Sequence, residues 1–201
     1  MATYYFDGAK ILAPFTVRSN EPMFDVDTVS LKKQRASQNV QRWELSFNIL
    51  TTKETEVDSL VNTVQNMDTT STMVMPQLPS VANLSTITGS PTLQSVAGAG
   101  STTVYANHNS ASGVLPKGSF IKFNNSNKIY ITTNDANFNQ NFSVSIGIYP
   151  KLRVALTTSN TILSENNAIL TYYRSIDNVQ GITFTDGILS NPGTIDLIEA
   201  V

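Results

Sequence analysis

The sequence contains no cysteine. That absence excludes a disulfide-stapled scaffold, a thiolate nucleophile and any zinc site built on thiolates. Charge is also scarce: Asp, Glu, Lys and Arg make up 14% of the 201 residues, against about 25% in an average globular domain. The 13 basic and 15 acidic side chains leave a net charge of -2, which lacks the basic footprint of a nucleic-acid binder. No apolar run approaches the roughly 18 residues of a membrane helix, and no membrane partner is expected. The opening Met1-Ala2-Thr3-Tyr4-Tyr5-Phe6-Asp7 has neither the basic end nor the apolar stretch of a signal peptide, so synthesis in a cytoplasm is expected.

Ser, Thr and Asn are abundant instead, at roughly a third of the chain, so hydroxyls and amides rather than charges meet the solvent. The length suits one large domain or two small ones. Period-two alternation is the dominant pattern. It is cleanest in Arg42-Trp43-Glu44-Leu45-Ser46-Phe47-Asn48-Ile49, where Trp43, Leu45, Phe47 and Ile49 share one face and serve as core anchors. Phe142 to Tyr149 repeats the pattern with Phe142, Val144, Ile146 and Ile148 inward. Further strands are expected at Thr28 to Lys33, Met73 to Met75, Thr102 to Ala106, Ser119 to Phe123, Lys128 to Thr132, Ala168 to Tyr173 and Gln180 to Thr185. Asn124-Asn125-Ser126-Asn127 joins two of these as a hairpin turn.

One segment departs from the pattern. Val57, Leu60, Val61 and Val64 follow helical spacing, and Thr51 with Glu54 makes a capping box, which predicts a single helix from Lys53 to Asn66. After Pro76-Gln77-Leu78-Pro79 the composition shifts to Ser, Thr, Gly and Ala. The reading is an all-β chain with one helix: a small β-barrel or sandwich domain formed by residues 1–80 with 166–201, and a second β-module, residues 81–165, inserted in it.

The chain offers little for catalysis. His108, the only histidine, stands in Ala106-Asn107-His108-Asn109-Ser110, with no nucleophile elbow to serve, and reads as a loop residue rather than a general base. Asp135-Ala136-Asn137-Phe138-Asn139 opens like a calcium loop. Gln140 replaces the turn glycine and Ile146 the bidentate glutamate, so a polar turn is expected. Gly98-Ala99-Gly100-Ser101 lacks the lysine of a phosphate loop. No catalytic residue, metal or cofactor is expected, and the chain does not read as an enzyme. Asp25 and Asp27 share a strand face and are expected to pair with nearby cations. Lys32, Lys33, Arg35 and Arg42 span an expected hairpin tipped by Ala36-Ser37-Gln38-Asn39 and are candidates for a subunit or tube contact.

The order of the pieces resembles bacteriophage tail proteins of the distal-tail or baseplate-hub family. The first part of the likeness is Ile11-Leu12-Ala13-Pro14-Phe15, a segment from Phe24 to Lys33, a polar hairpin tip, Gln41-Arg42-Trp43-Glu44-Leu45-Ser46-Phe47, a helix, and Met75-Pro76-Gln77-Leu78-Pro79. The second part is Val96 to Ser101, Leu115-Pro116-Lys117-Gly118-Ser119-Phe120-Ile121-Lys122-Phe123, Lys128 to Thr132, and Ile146-Gly147-Ile148-Tyr149-Pro150-Lys151-Leu152-Arg153, similar to the inserted β-module of tail proteins. The resemblance implies a structural virion protein whose copies form a homo-oligomeric, hexameric ring at the distal end of the tail tube. Its implied partners are the tube protein and other tip or baseplate proteins, without sequence-specific nucleic acid. Two other readings stay open at this point: the tail tube subunit itself, and a carbohydrate-binding adhesin using Tyr105, Tyr130, Tyr149, Tyr172 and Tyr173.

Overall fold

The computed structural model describes every residue except 1–4, 7, 28–32, 38–39, 52–55, 57–68, 78–84, 140–142, 176–182, 186–188 and 192–193. The chain is all-β and sandwich-like. It divides into two compact units, unit 1 being Met1–Ser71 with Thr171–Val201 and unit 2 Thr72–Leu170. Among the described residues every sheet is open, so the barrel alternative for the first domain is not realised. Of the helix expected over 53–66, only Glu56 is described, with helical backbone; the remainder lies outside the described residues.

In chain order unit 1 begins with β1 (Tyr5–Phe6), β2 (Ala9–Asn20), β3 (Met23–Asp27), β4 (Lys33–Ser37) and β5 (Arg42–Leu50). Next come β6 (Ser71–Val74), β7 (Thr88–Gly89), β8 (Thr103–Ala106), β9 (Ala111–Ser112), β10 (Val114–Leu115) and β11 (Phe120–Phe123). They are followed by β12 (Ile129–Thr132), β13 (Ala136–Asn137), β14 (Val144–Tyr149) and β15 (Ile162–Ser164). The chain closes with β16 (Ile169–Arg174), β17 (Thr183–Thr185), β18 (Leu189–Asn191) and β19 (Thr194–Glu199).

The main sheet of unit 1 runs β1-β2-β5-β19-β16, with antiparallel neighbours throughout. Alternation decides its faces: Trp43, Leu45, Phe47 and Ile49 on β5 are buried beside Ile195 and Leu197 on β19, while Glu44, Ser46 and Asn48 look the other way. Each such fully buried side chain contributes about 1.5–3 kcal/mol. An aromatic cluster ties the strands together, with Phe6 edge-on to Phe47 at 5.3 Å and 5.8 Å from Tyr172. The β2–β5 register shifts between Leu12 and Thr16, and this irregularity brings Phe15 to 5.7 Å from Phe47. At the end of β19 the backbone ladder stops at Ile198–Glu44, and the buried Glu199 carboxylate accepts the Trp43 N–H instead (3.0 Å).

Two ribbons leave this sheet. β3 pairs only with β4, and β17 only with β18, among the described residues. Because β2, β5, β19 and β16 alternate in direction, the first ribbon departs from the strand ends at Asn20 and Arg42, and the second from the opposite ends, at Arg174 and Thr194.

The ribbon corrects one expectation. The strand anticipated at Thr28 to Lys33 with its tip at Ala36 to Asn39 is replaced by strands at Met23–Asp27 and Lys33–Ser37, so the connection falls on 28–32. Ala36 and Ser37 are strand residues opposite Phe24 and Met23. The observed register sets Asp25 opposite Arg35 and Asp27 opposite Lys33, and opposite charges across a ladder favour that pairing.

Unit 2 contains the sheet β15-β11-β12-β14-β8 and the short pairs β10–β13 and β7–β9. Its core gathers Val104, Ile121, Phe123, Tyr130, Ile146 and Ile148, with Phe123 edge-on to Tyr130 at 5.3 Å. The Asn124–Asn127 connection closes the β11–β12 hairpin, with Phe120 opposite Ile131 and Lys122 opposite Ile129. Just before β15 begins to pair with β11, the Gln77 amide takes over the ladder: it accepts the Phe120 N–H (2.9 Å) and donates to the Phe120 carbonyl (3.2 Å).

Candidate functional site

The β3–β4 ribbon of unit 1 carries two of the four basic candidates, Lys33 and Arg35, while Arg42 lies on β5. Alternation gives the ribbon two unlike faces. Asp25 and Asp27 lie opposite Arg35 and Lys33 on one face, while Phe24 opposite Ala36 and Val26 opposite Gln34 form the other. Asp25 Oδ2 lies 3.6 Å from Lys33 Nζ and 3.5 Å from Arg35 Nε. All three side chains remain well exposed, so solvent screens these pairs and each is worth at most about 1 kcal/mol. Arg42, at the start of β5, sits 3.6 Å from Glu44 Oε1, which also accepts from Asn20 Nδ2 at 2.7 Å. Lys32 lies outside the described residues.

The sequence reading overlooked the apolar face of the same ribbon. Phe24 is 61% and Val26 60% exposed, and all of the described β3 and β4 side chains are exposed. The signal was present in Met23-Phe24-Asp25-Val26-Asp27, where apolar and acidic residues alternate. The reading weighed only the acidic face of that strand, Asp25 and Asp27, and left Phe24 and Val26 on the other face unread.

The other chemical candidates are held in structural roles. His108 opens a 3-10 turn, His108–Ser110, in which the Asn107 side chain accepts the Asn109 N–H (3.0 Å) and Ser110 Oγ donates to the Asn107 carbonyl (2.6 Å). Ser110 Oγ in turn accepts the Thr92 N–H, so this hydroxyl is spent on the backbone.

In the calcium-like segment the three side-chain oxygens serve three separate amides. Asp135 accepts from Lys117 N (2.7 Å), Asn137 from Asn139 N (2.9 Å) and Asn139 from Gly113 N (2.9 Å). They pin turns instead of converging on an ion. Among the described residues no group of three or more His, Cys, Asp or Glu could hold a metal. Gly98 to Ser101 forms a turn in which Ser101 N–H donates to the Gly98 carbonyl (3.2 Å).

The tyrosines named for sugar stacking differ in burial. Tyr130 and Tyr172 are core residues, and the Tyr130 hydroxyl accepts the Arg153 N–H at 3.1 Å. Tyr105, on β8, and Tyr173, on β16, are about half exposed. Among the described residues no helix is long and apolar enough to cross a membrane. No protein-family model matches the chain, and no curated protein matches it.

Proposed function

We propose that this chain is a non-enzymatic structural subunit of a phage tail, one that forms a ring, hexameric by family likeness, joining the distal end of the tail tube to the tail tip or baseplate. The observation that carries the reading is the build of unit 1. Both ends of the chain contribute to one open sheet, and a two-stranded ribbon with an exposed apolar face extends from it. Such a ribbon is marginal alone in water and gains stability when a neighbour covers it.

The uncharged, amide-rich composition supports the same reading, because extensive packing against several neighbours is cheaper when few charges must be desolvated. The ordered likeness to distal-tail proteins supplies the location in the virion. A heterologous contact between identical copies closes into a ring when its rotation fits, and otherwise winds into an open filament. A ring-forming adaptor and a tube subunit differ in that respect.

Native mass spectrometry of the concentrated protein tests the proposal. A closed oligomer of one size, six copies, is the expected outcome. A broad ladder of sizes would favour the tube subunit, and a monomer at every concentration would contradict both.

A further inference from the structure

We infer that unit 2 is a folding staple for unit 1: it forms first, from one contiguous stretch of chain, and by joining its own two ends it shortens the loop that unit 1 must close along β5–β19. The inference concerns the chain's own folding and stands or falls independently of the ring reading.

Unit 1 is built from two stretches far apart in sequence. β1, β2 and β5 come from residues 5–50, and β16 and β19 from residues 169–199. Within the first stretch β1 pairs with β2 and β2 with β5; within the second β16 pairs with β19. Among the described strand pairs the two stretches join only along β5–β19, from Thr194 opposite Asn48 to Ile198 opposite Glu44. That seam carries Leu45, Phe47, Ile195 and Leu197 in the core and the bond from the Trp43 N–H to the Glu199 carboxylate. Pairing it in an unfolded chain closes a loop of about 143 residues, and the entropic cost of closure rises with loop length.

Unit 2 has no such gap to bridge. Thr72–Leu170 is contiguous and has a core of its own around Val104, Phe123, Tyr130 and Ile146, and a stretch with its own core folds as a unit. Its two ends are tied together, because the Met75 N–H donates to the Ala168 carbonyl (2.8 Å). Both ends are also fastened to one strand, β11. Gln77 clasps Phe120, and Lys122 Nζ donates to the Ile169 carbonyl (3.2 Å). Once this unit has formed, residues 76–167 drop out of the loop, which falls from about 143 to about 51 residues. With closure scaling as the 3/2 power of loop length, the β5–β19 seam then forms about fivefold faster.

The single tryptophan makes the test direct. Trp43 lies on the seam, so its fluorescence reads unit 1 in the full-length protein while unit 2 contributes no tryptophan signal. Refolding from urea in dilute solution is followed by Trp43 fluorescence and, in parallel, by pulsed hydrogen exchange of the β11, β12 and β14 amides read by mass spectrometry. Protection of these amides is expected to precede the Trp43 change. A Trp43 change that is complete before they are protected overturns the inference.

Ile146→Ala, which removes most of a fully buried side chain from the core of unit 2, gives the second readout. At urea concentrations where unit 2 of this variant has not yet formed, the Trp43 phase should be about fivefold slower than in the wild type. An equal Trp43 rate there overturns the staple. Should Ile146→Ala not refold, Ile146→Val, a smaller truncation at the same site, replaces it. Leu197→Ala on the seam gives the reverse comparison: it should alter the Trp43 phase and leave the timing of unit 2 protection unchanged. Delayed protection of β11, β12 and β14 in that variant would make unit 2 depend on unit 1 and would likewise overturn the inference.

Discussion

Trp43 is the residue on which the main sheet of unit 1 most depends. It is 5% exposed, and its N–H is held by the Glu199 carboxylate where the β19 ladder ends. Trp43→Ala should cost about 3–5 kcal/mol through the cavity it leaves, measured by urea unfolding. A loss below about 1 kcal/mol would mean that the side chain is not a core anchor. Gly113 is constrained by its backbone instead. Its φ is +98°, and a Cβ there would clash with the Thr86 carbonyl oxygen. Gly113→Ala should therefore destabilise by about 2–3 kcal/mol or more, and an unchanged urea midpoint would refute the close approach. His108→Ala should leave assembly and stability unaltered, because the turn around it is held by Asn107 and Ser110; altered assembly on sedimentation would give the imidazole a role that this account lacks. At this scale burial on β5 was legible from alternation alone. The Glu199–Trp43 bond was not, because it links residues 156 positions apart and depends on where one ladder stops.

Strands with one wet face announce themselves. β11 and β12 are buried on both faces, whereas β5 and β14 follow the alternation in the sequence. β19 does not: Thr194-Ile195-Asp196-Leu197-Ile198-Glu199 sets an aliphatic residue on each face and a carboxylate at a buried position, so its alternation is blurred. The β3–β4 ribbon shows a different failure. Its register sets Asp25 opposite Arg35 and Asp27 opposite Lys33, cross-strand pairs that a scan for apolar period does not weigh. Where a strand outruns its neighbour, a side chain completes the ladder, as Gln77 does for Phe120. Gln77→Ala should cost about 1–3 kcal/mol, while Gln77→Glu keeps one acceptor and loses the donor. Urea denaturation of both variants measures it, and a change within about 0.5 kcal/mol for Gln77→Ala would show that the clasp adds nothing.

For the molecule as a whole, the sequence marked a change of composition after residue 79 and a renewed β-pattern, with boundaries read at 80–81 and 165–166, and the structure divides the chain at residues 71–72 and 170–171. The candidate contact surface was half legible. The basic side chains stood out, but the exposed apolar pair beside them became visible only once the ribbon's register was known. The central claim is a ring, and negative-stain electron microscopy of the concentrated protein with two-dimensional class averages tests it most directly. Closed sixfold rings of uniform diameter are the predicted result. Open tubes, or single particles with no ring at any concentration, would contradict it.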